Sequence, residues 1–200
     1  RPIMDNWLLA RTKTKYYGAY PAGFLERARM LLVGASKDAS ILHVCGGKAQ
    51  EYNEAGKKCG IPLWGFGKND LTLDIDPTVD PHILFDAREL NNVEIQINDE
   101  GKSILCFSLP KAANLPFLFC NIPDAILIDR PYSIEDATHY ACGPSVLPDL
   151  DKLLKDSLRI VKPGGLVGVI DYRWPQPGKL AQEVFVASVG TGRGGKARWF

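Results

Sequence analysis

Short apolar runs that end in small or charged residues recur along this 200-residue chain. The run Ala125–Ile128 is typical, because it is too short and too rich in β-branched side chains for a helix. Its pattern predicts a strand that is buried on both faces. Four further runs predict companion strands of a mostly parallel sheet: Ile41–Cys45, Leu71–Ile75, His82–Phe85 and Leu166–Ile170.

Apolar residues three and four positions apart predict helices between these strands. One helix follows Pro21 and carries Phe24, Leu25, Ala28, Leu31 and Leu32 on its apolar side. A second helix spans Leu147 to Val161 and ends through glycine termination at residues 162–165. A polar segment from Ser133 to Tyr140 predicts a shorter helical turn. Strands that alternate with helices predict an α/β fold.

Two segments depart from this alternation. The stretch Val93–Ile97 alternates apolar and polar residues, and Ser103–Leu109 returns after a turn, which predicts a β-hairpin. This hairpin either decorates the sheet edge or contacts a substrate. Near the end of the chain, Glu183–Val189 and Ala197–Phe200 predict an antiparallel pair around a glycine-rich turn.

Composition narrows the class of protein. The chain is 46% apolar and 24% charged, which predicts a single globular domain, and its net charge of +1 gives no global basic field for nucleic acid. Five cysteines without a CxxC pair predict reduced thiols in an intracellular protein, and three scattered histidines give no zinc spacing. No apolar run is long enough to span a membrane and no signal-peptide pattern opens the chain, so we expect a cytoplasmic protein.

The ends of the first three strands carry groups that suit a nucleotide. Gly46 and Gly47 follow the first strand, where backbone can approach a ligand closely. Asp74 ends the second strand and is placed to accept both hydroxyls of a ribose. Asp86 ends the third strand, where it either meets a ligand or caps the segment that follows. His43 is either a ligand contact or a hydrogen-bonded core histidine.

The fourth strand ends in Asp129-Arg130-Pro131-Tyr132. Pro131 stiffens this loop and holds its carbonyl groups outward. A carboxylate and a carbonyl can accept the two hydrogens of an NH2 group, while the Tyr132 ring stacks on a planar acceptor. Arg130 either pairs with Asp129 or grips a substrate phosphate.

The sequence DRPY resembles the DPPY or NPPY loop of class I S-adenosylmethionine-dependent amino methyltransferases, chiefly the adenine-specific DNA enzymes. HVCGGKA, at residues 43–49, is similar to the glycine loop of that family, and LRIVKPGGLVGVID to the helix, turn and strand after its catalytic loop. The resemblance implies a doubly wound, mostly parallel seven-stranded sheet with an antiparallel last strand. It also implies S-adenosylmethionine as cofactor and no metal.

The family's functional residues map onto this chain by position. The implied cofactor contacts are Tyr16, Tyr17, Gly46, Gly47, Asp74, Ile75, Asp86 and Ala87, and the implied catalytic residues are Asp129, Arg130, Pro131 and Tyr132. From spacing alone, the tyrosines could equally form a hydrophobic staple at the start of the first helix. Residues 1–36 would then precede a cofactor half at 37–90, a hairpin insertion at 91–112 and a catalytic half at 113–200.

The resemblance leaves three functions open. The favoured acceptor is adenine in DNA, although 200 residues leave no separate target-recognition domain, so specificity would come from loops, the hairpin, a homodimer or a partner. RNA or a protein glutamine is the alternative acceptor. A nucleotide-binding module without catalysis is the third function, since His43, Ala49 and Arg130 replace family residues. The basic residues Arg193, Lys196 and Arg198 either meet phosphates or form a solvated hairpin end.

Overall fold

A five-stranded parallel sheet forms the centre of the computed structural model, which describes residues 1–11, 19–53, 65–108, 117–140, 147–191 and 197–200. The strands in chain order are β1 (Ile3–Leu8), β2 (Ile41–Val44), β3 (Leu71–Asp74), β4 (Ile83–Leu84), β5 (Glu94–Ile97), β6 (Ser103–Ser108), β7 (Phe117–Asn121), β8 (Ala125–Ile128), β9 (Leu166–Val169), β10 (Phe185–Gly190) and β11 (Arg198–Trp199). The helices are α1 (Phe24–Val33), α2 (Ile134–Tyr140) and α3 (Leu150–Ile160). Short 3-10 helices span Ala49–Asn53, Pro77–Val79 and Ala87–Asn92.

The central sheet has the order β4-β3-β2-β8-β9, with every neighbouring pair parallel. Its five strands are the five that the apolar runs predict. All residues of β2 and β8 are buried, as expected of strands covered on both faces. Because the strands are parallel, β2, β3 and β8 end at one edge of the sheet. The groups that follow them are therefore brought together.

Helices cover both faces of this sheet. Phe24, Leu25 and Ala28 of α1 pack with Ala125 and Leu127 on one face. On the other face, α3 packs against a core that includes the alternate residues of β2 and β8, with Leu150, Leu153, Leu154 and Ile160 on the helix side and Leu42, Val44, Ile126 and Ile128 on the sheet side. The Asp149 carboxylate accepts a hydrogen bond from the backbone of Lys152 at 2.8 Å and begins α3 as a helix cap.

Two smaller sheets flank the central one. In the first, β1 pairs in parallel with β10, and β10 pairs antiparallel with β11 as predicted. Trp199 also exchanges backbone hydrogen bonds with Asp171, directly after β9. In the second, β5 and β6 form the predicted hairpin and β7 adds a third antiparallel strand.

The sequence does not signal β1 or β7 clearly. In β1, whose sequence is IMDNWL, apolar and polar residues do not alternate, and only Trp7 is buried. The strand is held instead by its pairing with β10, which lies at the far end of the chain. Among the described residues, no helix is long and apolar enough to cross a membrane.

Candidate functional site

A cavity of about 640 Å³ opens at the carboxyl ends of β2, β3 and β8. Its volume lies in the range of small-molecule and cofactor sites. The described residues that the sequence nominates all line it: Gly46, Gly47, Asp74, Ile75, Asp86, Ala87, Asp129, Arg130, Pro131 and Tyr132. Tyr16 and Tyr17 lie outside the described residues. Three strand ends that are distant in sequence thus meet around one space.

The glycine turn after β2 has different requirements at its two positions. A Cβ atom on Gly46 would lie 2.8 Å from both Cβ and the carbonyl oxygen of His43, so no side chain fits there. Gly47 has a φ of +48°, a left-handed conformation that favours glycine, and nothing lies within 4 Å of where its Cβ would be. The turn therefore presents bare backbone to the cavity.

Asp74 is fixed by backbone donors. The Gly47 N–H donates to its Oδ2 at 2.9 Å and the Asp76 N–H donates to its Oδ1 at 3.0 Å. Burial raises the pKa of Asp74 above its ordinary value, although these hydrogen bonds act in the opposite direction. A backbone hydrogen bond from Ile75 also acts on this carboxylate, so one of its lone pairs remains for a ligand. The neighbouring Ile75 side chain lines the cavity and is 43% exposed.

Asp86 is occupied by its neighbour Arg88. The Arg88 backbone N–H donates to Oδ1 at 2.9 Å, and its guanidinium donates to both oxygens at 2.6–3.0 Å. Burial would raise the Asp86 pKa, but the hydrogen bonds from Arg88 outweigh this effect and the pKa is lowered. The capping alternative is thus confirmed, because Asp86 begins the 3-10 helix Ala87–Asn92. The side-chain clamp fills the acceptor positions that an adenine amino group would need.

Asp129 has the most perturbed carboxyl group of the cavity wall. Burial raises its pKa to about 6, against hydrogen bonds from Tyr132 and Tyr20 and the charge of Arg198. The Tyr132 hydroxyl donates to Oδ1 at 2.6 Å. Burial and the Asp129 charge hold the pKa of Tyr132 well above its usual range, so the phenol stays neutral. Among the described residues, the donors to this carboxylate are the hydroxyl groups of Tyr132 and Tyr20.

Arg130 pairs with Asp171 and not with Asp129. Its side chain is 7% exposed, and its Nε lies 2.9 Å from Oδ2 of Asp171 in an ion pair that lacks hydrogen-bond alignment. Its Nη1 donates to the carbonyls of Pro131 at 3.2 Å and Pro148 at 3.1 Å. The predicted pairing with Asp129 is therefore wrong, because Asp171 and two carbonyl groups hold the guanidinium. Asp171 follows β9, so sequence spacing gave no sign of this partner.

Other residues of the cavity wall were missed or misplaced by the sequence. Arg198, expected at a basic tip, reaches inward and donates from Nη1 to the Tyr132 hydroxyl at 3.0 Å. Tyr172 packs edge-on against Tyr132 with ring centroids 4.7 Å apart and remains 42% exposed. Cys45 also lines the cavity in a left-handed conformation with a φ of 55°. Arg198 and Tyr172 are distant from the DRPY loop in sequence, so only the tertiary structure brings them to the cavity wall.

His43 belongs to the core. It is 1% exposed, its Nε2 lies 3.4 Å from Oδ2 of Asp70, and its ring packs against Phe66. The core alternative for this residue is confirmed. Within the described ranges, no group of three or more His, Cys, Asp or Glu residues could hold a metal ion.

Comparison of the chain with protein-family models, with curated proteins and with solved structures found no match. The geometry of the cavity and the motifs that line it are therefore the features of this chain that bear on its function.

Proposed function

We propose that this chain is an S-adenosylmethionine-dependent methyltransferase that acts on an exocyclic amino group, with adenine in DNA as the favoured acceptor. One observation supports this proposal above the others. The glycine turn after β2, the acid that ends β3 and the DRPY loop after β8 line a single cavity at the carboxyl edge of a parallel sheet. Ligands of open α/β sheets bind at that edge.

The cavity wall fits the cofactor in three respects. Gly46 and Gly47 leave backbone bare where a carboxylate or amino group of the methionine part could approach. The lone pair that Asp74 retains suits a ribose hydroxyl. Ile75 and Ala87 offer apolar surface to the adenine ring. When bound, S-adenosylmethionine supplies an electrophilic methyl group on its sulfonium.

The DRPY loop would position the acceptor. The amino nitrogen of an aromatic base is a poor nucleophile, because its lone pair is delocalised into the ring. Asp129 would accept one amino hydrogen through a lone pair that Tyr132 and Tyr20 leave open, and the carbonyl of Arg130 would accept the other. Both hydrogen bonds favour a pyramidal nitrogen whose lone pair faces the methyl group. The carbonyl of Pro131 already accepts from the Arg130 guanidinium, which favours the Arg130 carbonyl for this task.

The arrangement of strands also supports the resemblance. The central sheet, in the order β4-β3-β2-β8-β9, ends at β9. Just beyond β9, Asp171 forms an antiparallel bridge with Trp199 of β11, and β11 pairs antiparallel with β10. We propose that these strands form the reversed end of a seven-stranded methyltransferase sheet. In that arrangement β1 would be an addition at the far side of β10.

Two measurements test the proposed function. Isothermal titration calorimetry with S-adenosylmethionine should show binding in the micromolar range with one site per chain. Tritiated-methyl transfer should then label unmethylated DNA in preference to RNA and protein pools. Transfer to RNA or protein instead would replace the acceptor. Cofactor binding without transfer to any pool would favour the module without catalysis, and the absence of binding would overturn the proposal.

A further inference from the structure

Two side chains of the DRPY loop and one from β11 form a hydrogen-bonded series in the cavity wall. The Arg198 guanidinium donates to the Tyr132 hydroxyl at 3.0 Å, and that hydroxyl donates to Asp129 Oδ1 at 2.6 Å. The Arg198 Cζ also lies 5.5 Å from the centroid of the Tyr132 ring, within cation–π range. With a cation on one side and a carboxylate on the other, the hydroxyl has one proton orientation that satisfies both partners.

Arg198 is held rigidly where this series begins. It lies opposite Val189 in the antiparallel pair of β11 and β10. Directly after it in the chain, Trp199 exchanges backbone hydrogen bonds with Asp171, and Phe200 does so with Ala187. Side chains on paired strands are placed more accurately than side chains on loops. The last strand can therefore set the position of the DRPY loop.

We infer that Arg198 is a positioning residue for methyl transfer, which holds Tyr132 and, through it, the Asp129 carboxylate in the orientation that receives the acceptor amino group. This inference rests on the proposed function. It gives the Tyr132 hydroxyl a structural task in addition to the stacking expected of its ring. Tyr172 is exposed beside it and shares the mouth of the cavity.

The charge of Arg198 also affects the ionisation of Asp129. The groups that act on this carboxyl are Tyr132, Arg198, Tyr20 and Asp171, while Cys45 nearby stays neutral because burial holds the pKa of its thiol well above the usual range. Arg198 lowers the pKa of Asp129, whereas burial and Asp171 raise it. Without Arg198 the carboxyl would hold its proton to higher pH, so less of it would be ready to accept a hydrogen bond at neutral pH.

The test compares Arg198→Met, Arg198→Lys and the parent chain in three measurements. Calorimetry with S-adenosylmethionine should give dissociation constants within about threefold of one another. Tritiated-methyl transfer to unmethylated single-stranded DNA or, where RNA proves the better acceptor, to RNA should be on the order of tenfold to a hundredfold slower in kcat for Arg198→Met. The acid limb of its pH profile should move to higher pH, and Arg198→Lys should restore part of both losses.

A matched control separates position from general stability. Arg27 lies 5.6 Å over the Trp7 ring, away from the cavity, so Arg27→Met removes an arginine–aromatic contact of the same kind. This variant should keep the parent's kcat and pH profile. Equal kcat in Arg198→Met and the parent would overturn the inference, as would a loss of cofactor binding in Arg198→Met as large as the loss in kcat.

A readout that does not depend on activity keeps the inference distinct from the proposed function. Carbon-13 NMR of the aspartate carboxyls, assigned with Asp129→Asn, should show the Asp129 titration moving to higher pH in Arg198→Met. If this shift occurs in a chain that fails to bind S-adenosylmethionine, the series stands and the proposed function fails. If the chain methylates but the titration stays in place, the proposed function stands and the inference is wrong.

Discussion

Asp70, which is buried, and Asp129, which is partly buried, flank strands of one sheet, yet their surroundings shift their pKa values in opposite directions. Asp70 is 2% exposed and is surrounded by donors: Arg29 donates to both oxygens at 2.6–2.8 Å, and the backbone N–H groups of Ile41 and Gly67 donate at 2.9 and 2.7 Å. Burial would raise its pKa, but the hydrogen bonds from His43, Gly67 and Arg29 outweigh burial and lower it. This carboxylate is stable as an anion inside the protein.

Asp129 lies at the end of β8 with the cavity in front of it. Its supporting donors are hydroxyl groups, and burial raises its pKa to about 6. An under-supported carboxylate keeps acceptor capacity for a ligand, whereas a saturated one can only hold the fold together. The number and kind of donors around each acid therefore distinguish Asp129, for which we propose a function, from Asp70, which holds the fold together.

The largest expected effect is the loss of methyl transfer in Asp129→Ala. Removal of an acceptor that acts on the amino group should lower kcat by at least about 10²–10³-fold. Cofactor affinity should stay within about threefold, because the contacts proposed for S-adenosylmethionine come from other strand ends. Single-turnover transfer and calorimetry measure the two quantities. Asp99→Ala, in the exposed hairpin turn, is the control. Turnover by Asp129→Ala at the parent rate would remove the DRPY loop from the mechanism.

Asp70→Ala should instead lower the stability of the protein. It leaves the Arg29 guanidinium buried without its partner, which costs on the order of 3–5 kcal/mol of unfolding free energy. Urea denaturation at pH 7 measures this loss. In the double variant that combines Arg29→Met with Asp70→Ala, the loss of unfolding free energy should be smaller than the sum of the losses in the two single variants. Additive losses would mean that the two side chains do not form the buried pair.

Asp129→Asn should stabilise the protein, since the buried carboxylate is ionised at a cost. The folded chain holds this proton to pH about 6, whereas an unfolded aspartate releases it near pH 4. The ionised carboxylate therefore lowers stability fully above pH 6, and this penalty disappears as pH falls below about 4. We expect a gain on the order of 1–3 kcal/mol at pH 8 and none at pH 3.5, from urea denaturation at both pH values. A gain of equal size at both would assign the effect to something other than ionisation.

The sequence could predict which strand ends line the cavity but not the contacts among the side chains there. Strand ends are local signals, because an apolar run and the residue that closes it are adjacent, and parallel strands bring such ends to one edge. For this reason Asp74 and Asp129 could be nominated without a structure. The pairing of Arg130 with Asp171 depends on how β8 and β9 lie side by side, which no spacing rule contains.

The same limit applies to the last strand. Tyr132 and Arg198 are 66 positions apart, and only the pairing of β11 with β10 brings them together. A run of glycines and basic residues at the end of a chain predicts a solvated turn on composition alone. The inward course of Arg198 follows from Trp199 and Phe200, whose backbone groups bond to Asp171 on one side and Ala187 on the other.

Asp86 shares one feature with Asp129 and another with Asp70, and a change at its partner Arg88 gives the smallest expected effect. It lines the cavity like Asp129, yet its oxygens are filled like those of Asp70, here by a partly exposed Arg88. If the clamp is a cap and nothing more, Arg88→Gln should cost no more than about 1 kcal/mol of stability. It should also change the affinity for S-adenosylmethionine by less than about threefold in calorimetry. Lys152→Gln, which removes a neighbouring exposed cation, controls for the change in net charge. Cofactor binding at least tenfold tighter in Arg88→Gln alone would mean that the freed Asp86 accepts from the adenine amino group, and Asp86 would then belong with Asp129.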